Sequence, residues 1–107
     1  MSGFDNREKA EESRFVRKEE VEFKAMARRN KLLGLWAAPF LGLSGADADA
    51  YAATVVKADF EKPGDDDVFE KVRKDFDAKG VAQSDHQIRR QMEDLMIEAR
   101  RQIEAGI

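Results

Sequence analysis

The sequence of 107 residues contains no cysteine, a single histidine and only two prolines. The lack of cysteine excludes disulfide scaffolds, thiolate metal sites and cysteine nucleophiles. One histidine leaves few routes to a zinc site or a catalytic triad. A phosphate loop is missing too: Gly34, Gly42 and Gly45 follow no strand pattern, and no GK[ST] occurs. Long hydrophobic runs are absent. The longest apolar stretch, LLGLWAAPFLGL at Leu32–Leu43, is broken by Pro39 and falls short of the about 20 residues a bilayer requires. The charged start, Met1 to Glu22, has no apolar segment of the secretory kind. These absences predict a soluble, cytoplasmic protein. An excess of one charge is also lacking: 19 basic and 22 acidic residues leave a net of −3. That balance speaks against a basic nucleic-acid binder and for helix faces laced with ion pairs.

What is present is helix-forming. Ala, Glu, Lys, Arg and Leu dominate. Asp5 and Glu8 have capping-box spacing for the start of a first helix, which Pro39 ends near Ala38. Its apolar stripe is Val16, Phe23, Met26, Leu33 and Ala37, with Asn30 interrupting it. Between Asp5 and Arg14 the sole apolar residue is Ala10. A helix with no face to bury is marginal in water, so roughly the first 15 residues are expected to fray in the isolated protein.

A second helix is expected over Ala46–Lys62, opened by Ser44 with Asp47 as a variant capping box and stopped by Pro63-Gly64; its apolar positions are Tyr51, Ala52, Val55, Val56 and Phe60. Asp65–Asp67 supplies the negative charge that favours a third helix start. That helix carries Val68, Phe69, Val72 and Phe76 and ends at Gly80. Ser84-x-x-Gln87 is a second capping box. It opens a fourth helix, Asp85–Ala105, with the stripe Ile88, Met92, Leu95, Ala99, Ile103 and Gly106 at its close. The expected fold is all-α: a four-helix bundle (residues 19–107, one domain) with a mobile N-terminal segment (residues 1–18).

Little here suggests catalysis. His86 falls in the first turn of the last helix with no partner cluster, and Asp65–Asp67 lacks the spaced ligands of a calcium loop. The expectation is no enzyme, no metal and no cofactor. Two segments invite a functional reading. Arg28, Arg29 and Lys31 beside Leu32–Leu43 fit a nucleotide-sensing or anion contact or a membrane-surface adaptor. They equally fit a helix whose Arg28 and Arg29 face water while Leu33, Trp36 and Ala37 enter the core, with Trp36 and Phe40 as its largest anchors. The mixed-charge segment Met1–Arg14 suits folding on a partner, or is a plain frayed terminus.

Phe4-Asp5-Asn6-Arg7-Glu8-Lys9-Ala10-Glu11 and the run Phe23–Ala38, FKAMARRNKLLGLWAA, resemble the zeta subunit, the inhibitor of the alpha-proteobacterial F-type ATP synthase. So do Tyr51-Ala52, Val55–Glu61, Asp67-Val68 and Ile88–Leu95. The resemblance implies a non-enzymatic inhibitor. Its N-terminal segment would become helical in the catalytic head, at an interface of catalytic and non-catalytic subunits near the rotor stalk, and block ATP hydrolysis while permitting synthesis. Carried onto this chain, that segment spans Ser2–Lys18. Phe4, Asp5, Arg7, Glu8, Lys9, Ala10, Glu11, Arg14 and Phe15 are its contact residues. Asn6 stands where the pattern has an acidic residue, and Glu11-Glu12-Ser13 also departs from it. The resemblance further implies a monomer when free, with no nucleic-acid partner and no membrane insertion. It would be cytoplasmic, held peripherally at the inner membrane through the synthase.

The charge divides along the chain in keeping with two parts. Residues 1–31 hold 9 basic and 7 acidic side chains, a net of +2; residues 32–107 hold 10 and 15, a net of −5.

Overall fold

A computed structural model describes the backbone of residues 2–61 and 64–107 and the side chains of residues 18–59 and 64–107. Within these residues the chain is helical and contains no strand. Helix α1 spans Ser2–Ala37 and passes into a 3₁₀ turn, Ala38–Leu41. Helices α2 (Gly45–Glu61), α3 (Asp65–Lys79) and α4 (Asp85–Glu104) follow. The expected fraying falls on residues whose side chains lie outside those described. The same holds for Phe60 and Pro63.

The helix ends follow local chemistry. Pro39 sits in the first turn of the 3₁₀ segment, and α1 stops two residues before it, because proline disfavours the helical conformation of its predecessor. Gly80 ends α3 at φ +67°. Its N–H donates to the Asp77 carbonyl at 3.2 Å, and the Val81 N–H reaches the Phe76 carbonyl at 2.9 Å. This wraps the last carbonyls of α3 in the manner of a Schellman motif. At the start of α4 the capping box forms as expected. The Gln87 N–H donates to Ser84 Oγ at 3.1 Å, and the Ser84 N–H donates to Gln87 Oε1 at 2.7 Å. At α2 the Ser44 carbonyl accepts from the N–H groups of Asp47 and Ala48.

Contacts between helices fix the topology. Gly34 on α1 meets Ala52 on α2: a Cβ at residue 34 would stand 2.5 Å from Ala52 Cα, so only glycine permits this approach. Arg29 meets Asp65 at the start of α3, and Trp36 meets Phe76 near its end. Helix α3 therefore runs parallel to α1. Arg73 reaches Asp85, and Arg100 reaches Glu22. The result is an up-down-up-down bundle in which α1 packs most extensively, against α2 and α4.

The core is built from Leu33, Ala37, Val55, Val68, Val72, Phe76, Ile88 and Met92. The stripes expected for α3 and α4 supply most of it. Two expectations need correction. Among the described residues Phe76, and not Trp36 or Phe40, is the largest fully buried side chain. Trp36 is partly buried and Phe40 is 44% exposed. Phe40 lies on the 3₁₀ turn at the rim, where its ring caps Trp36 and Phe76 at centroid distances of 5.3 and 5.8 Å. Phe23, assigned by spacing to the core face, is 64% exposed. Counted residue for residue from the Gly34–Ala52 contact, the last residue of α2 (Glu61) stands opposite Ala25, and α3 starts near Arg29. Phe23 lies beyond both helix ends, where α1 has α4 for a neighbour.

Candidate functional site

The contact residues expected of the inhibitory segment (Phe4, Asp5, Arg7, Glu8, Lys9, Ala10, Glu11, Arg14 and Phe15) all fall on α1. Their side chains are outside the described residues. The site that can be built from atoms is the base of this segment, residues 18–31 of α1, and what holds it.

Beyond the end of α2, α4 provides the support. Ala25 and Ala99 are both fully buried, and small residues of this kind let the axes of α1 and α4 come close. Arg100 grips Glu22 with two hydrogen bonds, Nε to Oε1 at 2.8 Å and Nη2 to Oε2 at 3.2 Å. This two-point geometry fixes direction as well as distance, and it raises the pKa of the Arg100 guanidinium above its ordinary value. Six residues further along α1, Arg28 donates to Gln102 Oε1 at 2.6 Å and to the Ile107 carbonyl at 2.9 Å. Gln102 in turn donates to Glu98 Oε1 at 3.1 Å, which also accepts from Arg101 at 2.6 Å. Arg101 and then Gln102 hold the Glu98 carboxyl well below the usual range, at about 2. The end of α4 thus forms a polar clasp on α1. Glu22, Arg100 and Gln102 went unnoticed in the sequence. The partners are separated by more than 70 positions, and nothing local marks them.

The basic cluster does not form one surface. Arg28 is half-buried and turned to the end of α4. Lys31 is exposed. Arg29, expected to face water, is buried, its side chain only 3% exposed. Its Nε donates to Asn30 Oδ1 and its Nη2 to Asp65 Oδ1, both at 2.8 Å. A buried guanidinium is costly unless paired and hydrogen-bonded, and here both conditions are met. A signal was available: Ala25, Arg29 and Leu33 recur every four residues, the spacing of a single helix face. Asn30 is buried beside it, and among the described residues its Nδ2 has no protein partner.

The apolar stretch is likewise spent internally. Leu33, Ala37 and Ala38 are fully buried, and Trp36 and Leu41 pack against the core. Among the described residues no helix is long and apolar enough to cross a membrane. Among the same residues no three His, Asp or Glu side chains stand close enough together to hold a metal ion.

The remaining polar groups tie helices together. The half-buried Tyr51 hydroxyl donates to Asp75 Oδ2 at 2.8 Å, linking α2 to α3. Burial first, and the Asp75 bond second, push its pKa far above the ordinary value for tyrosine. Lys71 pairs with the same carboxylate at 2.9 Å and lies 5.5 Å over the Tyr51 ring. Arg89 stacks on Phe69 at 4.0 Å and meets Asp66 at 2.8 Å. His86 is exposed at the start of α4. None of these groups combines a nucleophile, a base and a pocket for substrate.

Residues 1–102 match the model of a family described as ATPase inhibitor subunit zeta. A solved structure, described only as a solution NMR structure, shares 50% identity with the chain at a TM-score of 0.70. The match covers 80% of this chain and 98% of the other. No curated protein matches.

Proposed function

Because the chain belongs to the ATPase inhibitor subunit zeta family, we propose that residues 1–18 form an inhibitory arm and residues 19–107 the bundle that carries it. The arm enters the catalytic head of the F-type ATP synthase, between catalytic and non-catalytic subunits near the rotor stalk. It wedges there against ATP hydrolysis. The chain performs no chemistry of its own and uses no cofactor. It is a cytoplasmic monomer when free and becomes peripheral to the inner membrane through the synthase.

The observation that carries this reading is the uneven use of α1. Among the described residues the core takes its side chains from Ala25 onward, whereas the stretch from Asp5 to Arg14 offers Ala10 alone as an apolar residue. A helix so poor in apolar residues leaves charges of both signs for a partner. Complementary charge governs encounter and register. Phe4 and Phe15 serve as apolar anchors, the role that a few aromatic side chains fill in most interfaces. The test is ATP hydrolysis by the cognate head with the full chain and with residues 19–107. Inhibition is expected from the full chain alone, while circular dichroism shows the shortened chain still helical. Equal inhibition by both would remove the assignment to the arm.

A further inference from the structure

We infer that the end of α4 is a positioning element for the inhibitory arm: by clasping α1 at Glu22 and Arg28, it holds residues 18–28 as a preformed helical stub from which the arm's helix is extended. This inference rests on the arm being the inhibitory part.

Three observations support it. First, among the described residues the side-chain hydrogen bonds of residues 18–28 of α1 all go to α4 and the turn after it. Glu22 accepts from Arg100, and Arg28 donates to Gln102 and to the Ile107 carbonyl. Second, this end of α4 is itself shaped for the task. Gly106, at φ +76°, folds the chain back, and the Ile107 N–H bonds to the Gln102 carbonyl at 2.9 Å. That bond presents the Ile107 carbonyl to Arg28. Third, α1 has no break between the arm and the core: it is one α-helix from Ser2 to Ala37.

The consequence is kinetic and thermodynamic. Starting a helix costs a factor of about a thousand, because several residues must be fixed for the first hydrogen bond. Adding a residue to an existing helix costs almost nothing. An arm that grows from a held stub avoids the starting penalty. It also leaves the bundle in a fixed direction and rotation, so that its contact residues meet the partner in register.

A helix break placed in the first turn of the stub, next to the arm, tests this. Glu20 is exposed and takes part neither in the clasp nor in the arm. Proline there removes one helix hydrogen bond, clashes with the carbonyl four residues earlier and disfavours helix at residue 19. Glu20→Pro is expected to weaken inhibition of ATP hydrolysis by the cognate head about tenfold or more. Glu20→Ala is expected to inhibit like the unaltered chain. Amide exchange at Leu33 and Val72 reports on the bundle and is expected to be the same in both. If Glu20→Pro inhibits as strongly as Glu20→Ala, the inference falls, while arm deletion still decides the inhibitory reading on its own. The clasp is tested by charge exchange. Arg100→Glu is expected to speed amide exchange from residue 19 to residue 24 and to weaken inhibition. The double variant Glu22→Arg with Arg100→Glu is expected to restore both. Unchanged exchange and inhibition in Arg100→Glu would overturn the role of α4.

Discussion

The two ends of the bundle are held by different forces. At the end where Trp36, Phe40 and Phe76 meet, four helices enclose side chains with no access to water, and one backbone contact, Gly34 on Ala52, leaves no space for a Cβ. At the other end two helices lie side by side. They are joined by Glu22–Arg100, Arg28–Gln102 and Arg28–Ile107, and Phe23, Ile97 and Ile107 are each about two-thirds exposed. Burial of apolar surface is strong and non-directional. Exposed ion pairs are weak, yet two-point pairs between planar groups set an angle. The first end supplies stability and the second supplies orientation, which is the division an inhibitor needs if its anchor must stay folded while its arm is presented to a partner.

The largest effect should come from emptying the first end. Phe76→Ala is expected to cost about 3–5 kcal/mol, by lost burial and the cavity left behind. Urea unfolding measures it. A loss comparable to that of an exposed substitution would break the contrast between the ends.

Tyr51→Phe is expected to cost about 1 kcal/mol at neutral pH, through the lost bond to Asp75. Its pH dependence is the sharper test. The folded chain favours the neutral hydroxyl, so its contribution is whole below the ordinary tyrosine value near 10 and fades as pH rises toward the raised folded value. The stability gap between the unaltered chain and Tyr51→Phe should therefore narrow above pH 10.

The smallest effect belongs to the clasp. Glu98 is charged in the fold down to about pH 2, so its contribution is whole above the ordinary carboxylate value near 4.5 and is lost as pH falls toward 2. An NMR titration of the Glu98 carboxyl should give a midpoint well below 4.5. Arg101→Gln should move it upward with little change in overall stability. A normal midpoint in the unaltered chain would dissolve the clasp as a fixed network.

Much of the fold could be read from local signals. The Ser84–Gln87 box, Gly80 and Pro39 set helix ends by chemistry within a few residues, and Ile88, Met92 and Ala99 announced the buried face of α4 by spacing alone. Local reading failed where the answer depends on the length of another helix. Phe23 has core spacing but stands past the end of α2, so it is exposed. Arg29 has charge but stands opposite the start of α3, so it is buried. The clasp was invisible because its members lie at opposite ends of the chain.

The sequence by itself determined a small, cysteine-free, all-helical molecule, slightly basic in its first 31 residues and acidic afterward, with an opening stretch too poor in apolar residues to build a core. These follow from composition and from periodicities of three and four, which act within one helix. Only the tertiary structure decided where the partnership of four helices becomes a pair, and therefore which residues hold the base of α1. Burial and ion pairing at that point depend on which helices stand side by side and how far each extends, and no single helix contains that information.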